Sequence, residues 1–114
     1  MKIKTTDPLD LEIAASSFAA LGSEQRLTIL RVLVRAGPTG LSIGVLGTRS
    51  GITGSTLTHH MKILLSAGLV AQSRQGRSII CAAVAYDQLH GLADFLLNAC
   101  SADANDGTAG HDYG

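Results

Sequence analysis

The residues best equipped for chemistry sit in one run, Thr53-Gly54-Ser55-Thr56-Leu57-Thr58-His59-His60-Met61-Lys62. At about 100° per residue, Leu57, Met61 and Leu64 fall on one helix face. Ser55, His59 and Lys62 fall on the opposite face, with Thr56, Thr58 and His60 on the flanks. Hydroxyls, an imidazole and an ammonium backed by an apolar stripe are groups that reach base edges and phosphates in a major groove. Thr53 and Ser55 add a phosphate seat, because the free N–H groups of a helix N-terminus favour an anion. His59 and His60 are neighbours, so they point about 100° apart and do not form a simple two-ligand pair. Further along, Arg74 and Arg77 flank Gln75-Gly76. Two guanidinium groups on a hairpin tip suit phosphates or the narrow minor groove. Amphipathic helices and arginine-tipped hairpins are each common alone. It is their succession that points to a polyanion.

The charge distribution agrees. The 114 residues carry no net charge, yet residues 25–86 hold seven Lys and Arg and no Asp or Glu. The flanking segments, 1–24 and 87–114, carry net −2 and −5. A block of one sign predicts a polyanionic partner, although it also serves solubility. Aromatic residues make up 4% and Trp is absent, which disfavours a stacking platform for single strands. No Walker A, GxSxG, HExxH or dinucleotide fingerprint occurs, so no enzyme is expected. Gly51-Ile52-Thr53-Gly54 matches the GxxG string of a small RNA-binding module, but Gly37–Gly40 and Gly44–Gly47 repeat that spacing. No apolar stretch approaches a membrane span and no secretory leader is visible, so a cytoplasmic location with reduced thiols is expected.

These groups need elements to position them. Leu11, Ala14, Ala15, Phe18 and Leu21 predict a first helix over 9–21. Ser23 caps a second helix that stops at Gly37-Pro38. Ser42 caps a short third helix over 43–49, and Thr53 caps a fourth that Gly68 closes. Residues 69–84 read as a β-hairpin around Arg74-Gln75-Gly76-Arg77. A last helix over 87–99 carries Leu89, Leu92, Ala93, Leu96 and Leu97 on one stripe. The expected fold is mainly α with a small β-hairpin, a winged helix-turn-helix. Residues 1–8 are expected to be a flexible N-terminus, 9–100 the DNA-binding and dimerisation domain, and 101–114 a disordered acidic tail. Leu11 and Phe18 of the first helix, with Leu89, Leu92, Ala93, Leu96 and Leu97 of the last, predict a homodimer interface. The plainer account is that they cover the monomer's own core.

The run Ser55–Leu64, then Ala67-Gly68-Leu69-Val70, then Arg74-Gln75-Gly76-Arg77-Ser78, resembles the ArsR/SmtB family of winged helix-turn-helix repressors. The upstream Phe18–Leu30 resembles the family's second-helix signature. The resemblance covers residues 10–100. It implies a homodimer that binds double-stranded DNA at an inverted-repeat operator and is released by an inducer. It also places Ser55, Thr56, Thr58, His59, His60 and Lys62 on the recognition helix, and Arg74 and Arg77 on the wing.

What is sensed is a separate question. The cysteine pair that some members carry in the third helix is missing from Leu41–Leu46. Asp87, His90 and Asp94 share one face of the last helix and resemble, with altered spacing, the family's zinc site. They also read as a solvated acidic face. Asn98-Ala99-Cys100 resembles the branch whose last helix ends in Asn-Cys-Cys and binds trivalent arsenic, with one cysteine lost. Soft thiolates suit trivalent arsenic, antimony or zinc. Cys100 of each subunit is therefore a candidate for an inducer site, for a metalloid or metal or for a thiol-reactive, oxidising signal, and Cys81 reads as a small strand hydrophobe. No cofactor is expected to be needed for folding. A regulator of this type that senses no metal is the alternative.

Overall fold

The computed structural model describes residues 11–104, with side chains as far as Asn98. Its elements are α1 (Leu11–Ala20), α2 (Glu24–Ala36), β1 (Leu41–Ser42), α3 (Ile43–Ser50), α4 (Gly54–Ser66), β2 (Val70–Gln75), β3 (Ser78–Ala83) and α5 (Tyr86–Ala104). The expected segments 1–8 and 105–114 lie outside the described residues. Residues 101–104, expected in the tail, continue α5.

Local chemistry explains most of the boundaries. The Ser23 hydroxyl accepts the Arg26 N–H at 3.3 Å and caps α2. Ser42 does the same for Val45 and α3. Thr53 sits extended at the head of α4, but its hydroxyl makes no capping bond, contrary to expectation. At the other end, the N–H groups of Gly68 and Leu69 reach back to the carbonyls of Leu65 and Leu64 at 3.0 and 3.1 Å. Gly68 has a φ of +74°, so it closes α4 as the left-handed residue expected of it.

The sheet has an element that hydrophobic alternation did not announce. Strands β2 and β3 pair antiparallel from Val70↔Ala83 to Gln75↔Ser78. The short β1 adds to the far edge of β3 through Leu41↔Cys81 and Ser42↔Ile80, giving the order β1-β3-β2. Gly40 makes this possible. It has a φ of +76°, and a Cβ there would collide with the Cys81 carbonyl.

Helices α2, α3 and α4 close on β3 around Ile29, Leu33, Leu46, Met61, Leu64 and Cys81, all fully buried. Among the described residues the last helix joins this core through its first half. Leu92 is buried and Leu89 is partly buried against the core. Both were expected at a dimer seam, and both turn instead into the monomer. About one turn after Leu92, Leu96 and Leu97 are 60% and 64% exposed, and Ala93 is exposed too. Leu11 is 73% exposed and Phe18 36% exposed on α1. Among the described residues no helix is long and apolar enough to cross a membrane.

Candidate nucleic-acid interface

The pair α3–α4 is joined by the tight turn Gly51-Ile52-Thr53. Gly47 permits the close crossing: a Cβ there would lie 3.2 Å from the Thr53 methyl and 3.3 Å from the Ile52 carbonyl. Ile52 is buried beneath the turn, and the Ser50 hydroxyl accepts the Ile52 N–H at 3.2 Å. These contacts hold the second helix of the pair at a fixed angle to the first.

Helix α4 then sorts its side chains. Leu57, Met61 and Leu64 are buried. Ser55, Thr56, Thr58, His59 and Lys62 are all exposed, as is Thr53 ahead of them. The Thr58 hydroxyl donates back to the Gly54 carbonyl at 3.3 Å, leaving its oxygen free to accept. His59 and Lys62 line a shallow groove whose opposite wall is Ser16, Ala19 and Ala20 of α1.

His60 behaves differently. Expected on a flank of the reading face, it is 8% exposed and engaged on both ring nitrogens. Nε2 lies 2.9 Å from the Gln25 side-chain oxygen, and Nδ1 lies 3.2 Å from an Arg26 guanidinium nitrogen. The flank on which it lies is the one that packs on α2. Burial, then the Arg26 charge, then His59 hold its pKa below the ordinary histidine value. His60 is thus part of the scaffold behind the exposed polar face of α4. Gln25 and Arg26 are functional candidates that sequence reasoning passed over, because nothing in the sequence marks a contact spanning 34 residues.

The hairpin supplies the second element. Its two-residue loop is Gly76-Arg77, with Gly76 at a φ of +63° as such tight loops require. Arg77 therefore occupies the tip itself. Arg74 lies within β2 opposite Ile79, on the face shared by the Gln72↔Cys81 pair. Both arginines are exposed, and among the described residues neither forms an ion pair. Arg49 at the end of α3 is a further exposed cation.

The proposed sensing residues are arranged less suggestively. His90 Nδ1 lies 3.2 Å from Asp94 Oδ2 on the exposed face of α5, and Tyr86 packs its ring near His90. Asp87 is exposed on the same helix. Among the described residues no three His, Cys, Asp or Glu side chains converge to hold a metal. Cys81 is fully buried, with the Gln72 amide 3.7 Å from its sulfur. Burial raises its pKa, outweighing that hydrogen bond, which disfavours the thiolate that a soft metal would need. The Cys100 side chain lies outside the described residues.

A helix pair fixed by a tight turn, a second helix with its polar side outward, and an arginine-tipped hairpin together define a winged helix-turn-helix DNA-binding protein. A family profile described as a helix-turn-helix domain matches residues 21–73. The uncharacterized HTH-type transcriptional regulator YceK of Bacillus subtilis (strain 168) is 39% identical over 69 residues, which are 60% of this chain and 68% of YceK. The solved structure of an ArsR-like transcriptional regulator from Rhodococcus sp. RHA1 superposes with a TM-score of 0.71 at 30% identity, covering 83% of this chain and 86% of that one. The solution structure of the homodimeric winged helix-turn-helix DNA-binding domain Mb0332 from Mycobacterium bovis shares the fold, with a TM-score of 0.64 at 22% identity over 90% of each chain. The chain belongs to the ArsR family of DNA-binding transcriptional regulators.

Proposed function

We propose that the chain acts as a homodimeric repressor on an imperfect inverted-repeat operator and leaves it when an inducer binds. In this reading α4 of each protomer enters the major groove with Ser55, Thr56, Thr58, His59 and Lys62 toward the bases and phosphates. Thr53 seats a phosphate at the head of the helix. Arg74 and Arg77 of each wing take flanking phosphates. The observation that carries the reading is the exposure of all these groups within a block that holds no carboxylate. Two half-sites one helical turn (~34 Å) apart follow from two-fold symmetry. Support for the dimer comes from Leu11, Phe18, Ala93, Leu96 and Leu97, which stay exposed once the monomer is folded. The homodimeric state of the Mycobacterium bovis neighbour agrees.

For the inducer the candidate is Cys100, on the strength of the Asn98-Ala99-Cys100 resemblance and of its place in the sequence soon after the exposed Leu96 and Leu97. A trivalent metalloid such as arsenite fits soft thiolates better than it fits the Asp87, His90 and Asp94 face. The alternative, a regulator that senses no metal, draws on the lack of a converging ligand set among the described residues.

The test is a titration of reduced protein onto duplex DNA from its own upstream region, read by fluorescence anisotropy, followed by arsenite. Tight binding with release by arsenite, lost in Cys100→Ser, is expected. Binding that survives arsenite would overturn metalloid sensing and leave the repressor reading intact. Equal affinity for the upstream duplex and a scrambled one would overturn the operator assignment.

A further inference from the structure

The contacts around His60 form a chain that crosses three helices. The Arg26 Nε donates to the Ala20 carbonyl at 2.5 Å, at the C-terminal end of α1. The same guanidinium reaches His60 Nδ1 at 3.2 Å on α4. His60 Nε2 in turn meets the Gln25 side-chain oxygen at 2.9 Å. A guanidinium only donates, so Nδ1 must accept and carry no proton. Nε2 then bears the ring's hydrogen and donates to Gln25. The neighbours thus select one tautomer of the neutral ring.

We propose that neutral His60 is a positioning residue for DNA binding: through Arg26 and Gln25 it locks the recognition helix to the α1–α2 corner, and protonating it unlocks that helix. The proposal rests on the reading of α4 as the recognition helix. Its physical content is a conflict of donors. A proton on Nδ1 would face the Arg26 N–H and bring two positive charges to a 3.2 Å contact. Arg26 would leave, and α4 would lose its tie to the end of α1. Because α1 is the helix assigned to the dimer seam, that tie sets α4 relative to its symmetry mate. Half-site spacing is read through that relation.

The charged and titratable groups bearing on His60 are Arg26 from α2 and His59 on α4 itself. Helix α1 presents the Ala20 carbonyl, through Arg26. No Asp or Glu occurs from residue 25 to residue 86, so neither α4 nor the hairpin offers a carboxylate to stabilise the imidazolium. His59 is exposed on the same helix, so the experiment replaces it and the profile then reports His60 alone.

The experiment measures affinity of the full chain for the upstream duplex from pH 7.5 to 5.0, in a His59→Gln background that silences the other histidine. The parent is expected to lose about tenfold in affinity, starting below pH 6.5, as the charge-assisted contact is lost. Adding His60→Gln should give weaker binding at pH 7.5 and a flat profile, and Arg26→Gln should do likewise. If His60→Gln instead binds as tightly as its parent with the same profile, the positioning role is refuted while DNA binding by α4 stands. If the native chain shows no preference for the upstream duplex over a scrambled one at any pH, the reading of α4 fails and the proposal with it. A readout independent of variant folding is the two-bond 15N–1H correlation of the native protein. Nε2–H alone is expected for His60 at pH 7.5, and Nδ1–H or the imidazolium would overturn the assignment.

Discussion

Replacing Arg77 by Ala isolates the wing's contribution to DNA affinity. Arg77 stands exposed at the tip of a two-residue loop and, among the described residues, forms no ion pair. Its removal should therefore change folding stability by less than about 0.5 kcal/mol, as exposed substitutions do. On DNA the arithmetic is different. Each neutralised phosphate contributes about 0.9 to the slope of log K against log salt. A symmetric dimer has two wings, so Arg77→Ala should flatten the slope by about 1.8. Between 50 and 200 mM salt, native affinity should consequently fall roughly twelvefold more than that of the variant. The assay is anisotropy at four or five salt concentrations on both the operator and a scrambled duplex. The loss should be the same on both, because a phosphate contact carries no sequence information. An unchanged slope would refute the wing assignment. A change of half that size would mean one wing per complex, and the symmetric docking would be wrong.

Further outcomes follow from the same geometry. His59→Ala should narrow the gap between operator and scrambled duplex, whereas equal losses on both would put the wrong side of α4 against the bases. Gly44 and Gly47 lie one turn apart on α3, yet Ala at Gly44 meets open space and should stabilise by up to ~1 kcal/mol in a denaturant melt. Ala at Gly47 meets the α3–α4 turn and should give a net loss of about 1 kcal/mol, overpacking outweighing helix propensity. Leu97→Asp, on the unburied half of α5, should shift sedimentation toward monomer and weaken operator binding without lowering the monomer's own melting stability. Because the folded pKa of His60 is depressed, the unfolded chain takes up a proton that the folded one resists. His60 should thus contribute no pH dependence well above pH 6.5 and a stability loss as pH falls through and below it, and His60→Gln should remove that part of the melt's pH dependence.

Local chemistry in the sequence was enough to determine the helices, the hairpin and the middle of the exposed polar face of α4. Ser23, Ser42 and Gly68 cap where their side chains or backbone freedom dictate, and Ser55, His59 and Lys62 lie opposite the apolar stripe whatever α4 packs against. Such features depend on neighbours within about a turn, and the sequence carries those neighbours. Tertiary structure alone decided the flanks and the long-range pairings. A residue about 65° from the centre of the core stripe faces water or protein according to which helix lies beside it, and α2 lies beside His60. In the same way the pairing of Leu41 with Cys81 joins residues 40 apart, with only Gly40 as a local sign. Along α5 a single apolar stripe is divided between core and surface. Leu92 meets the core and Leu96, on the same face a turn later, does not, because periodicity defines a face but not what covers it.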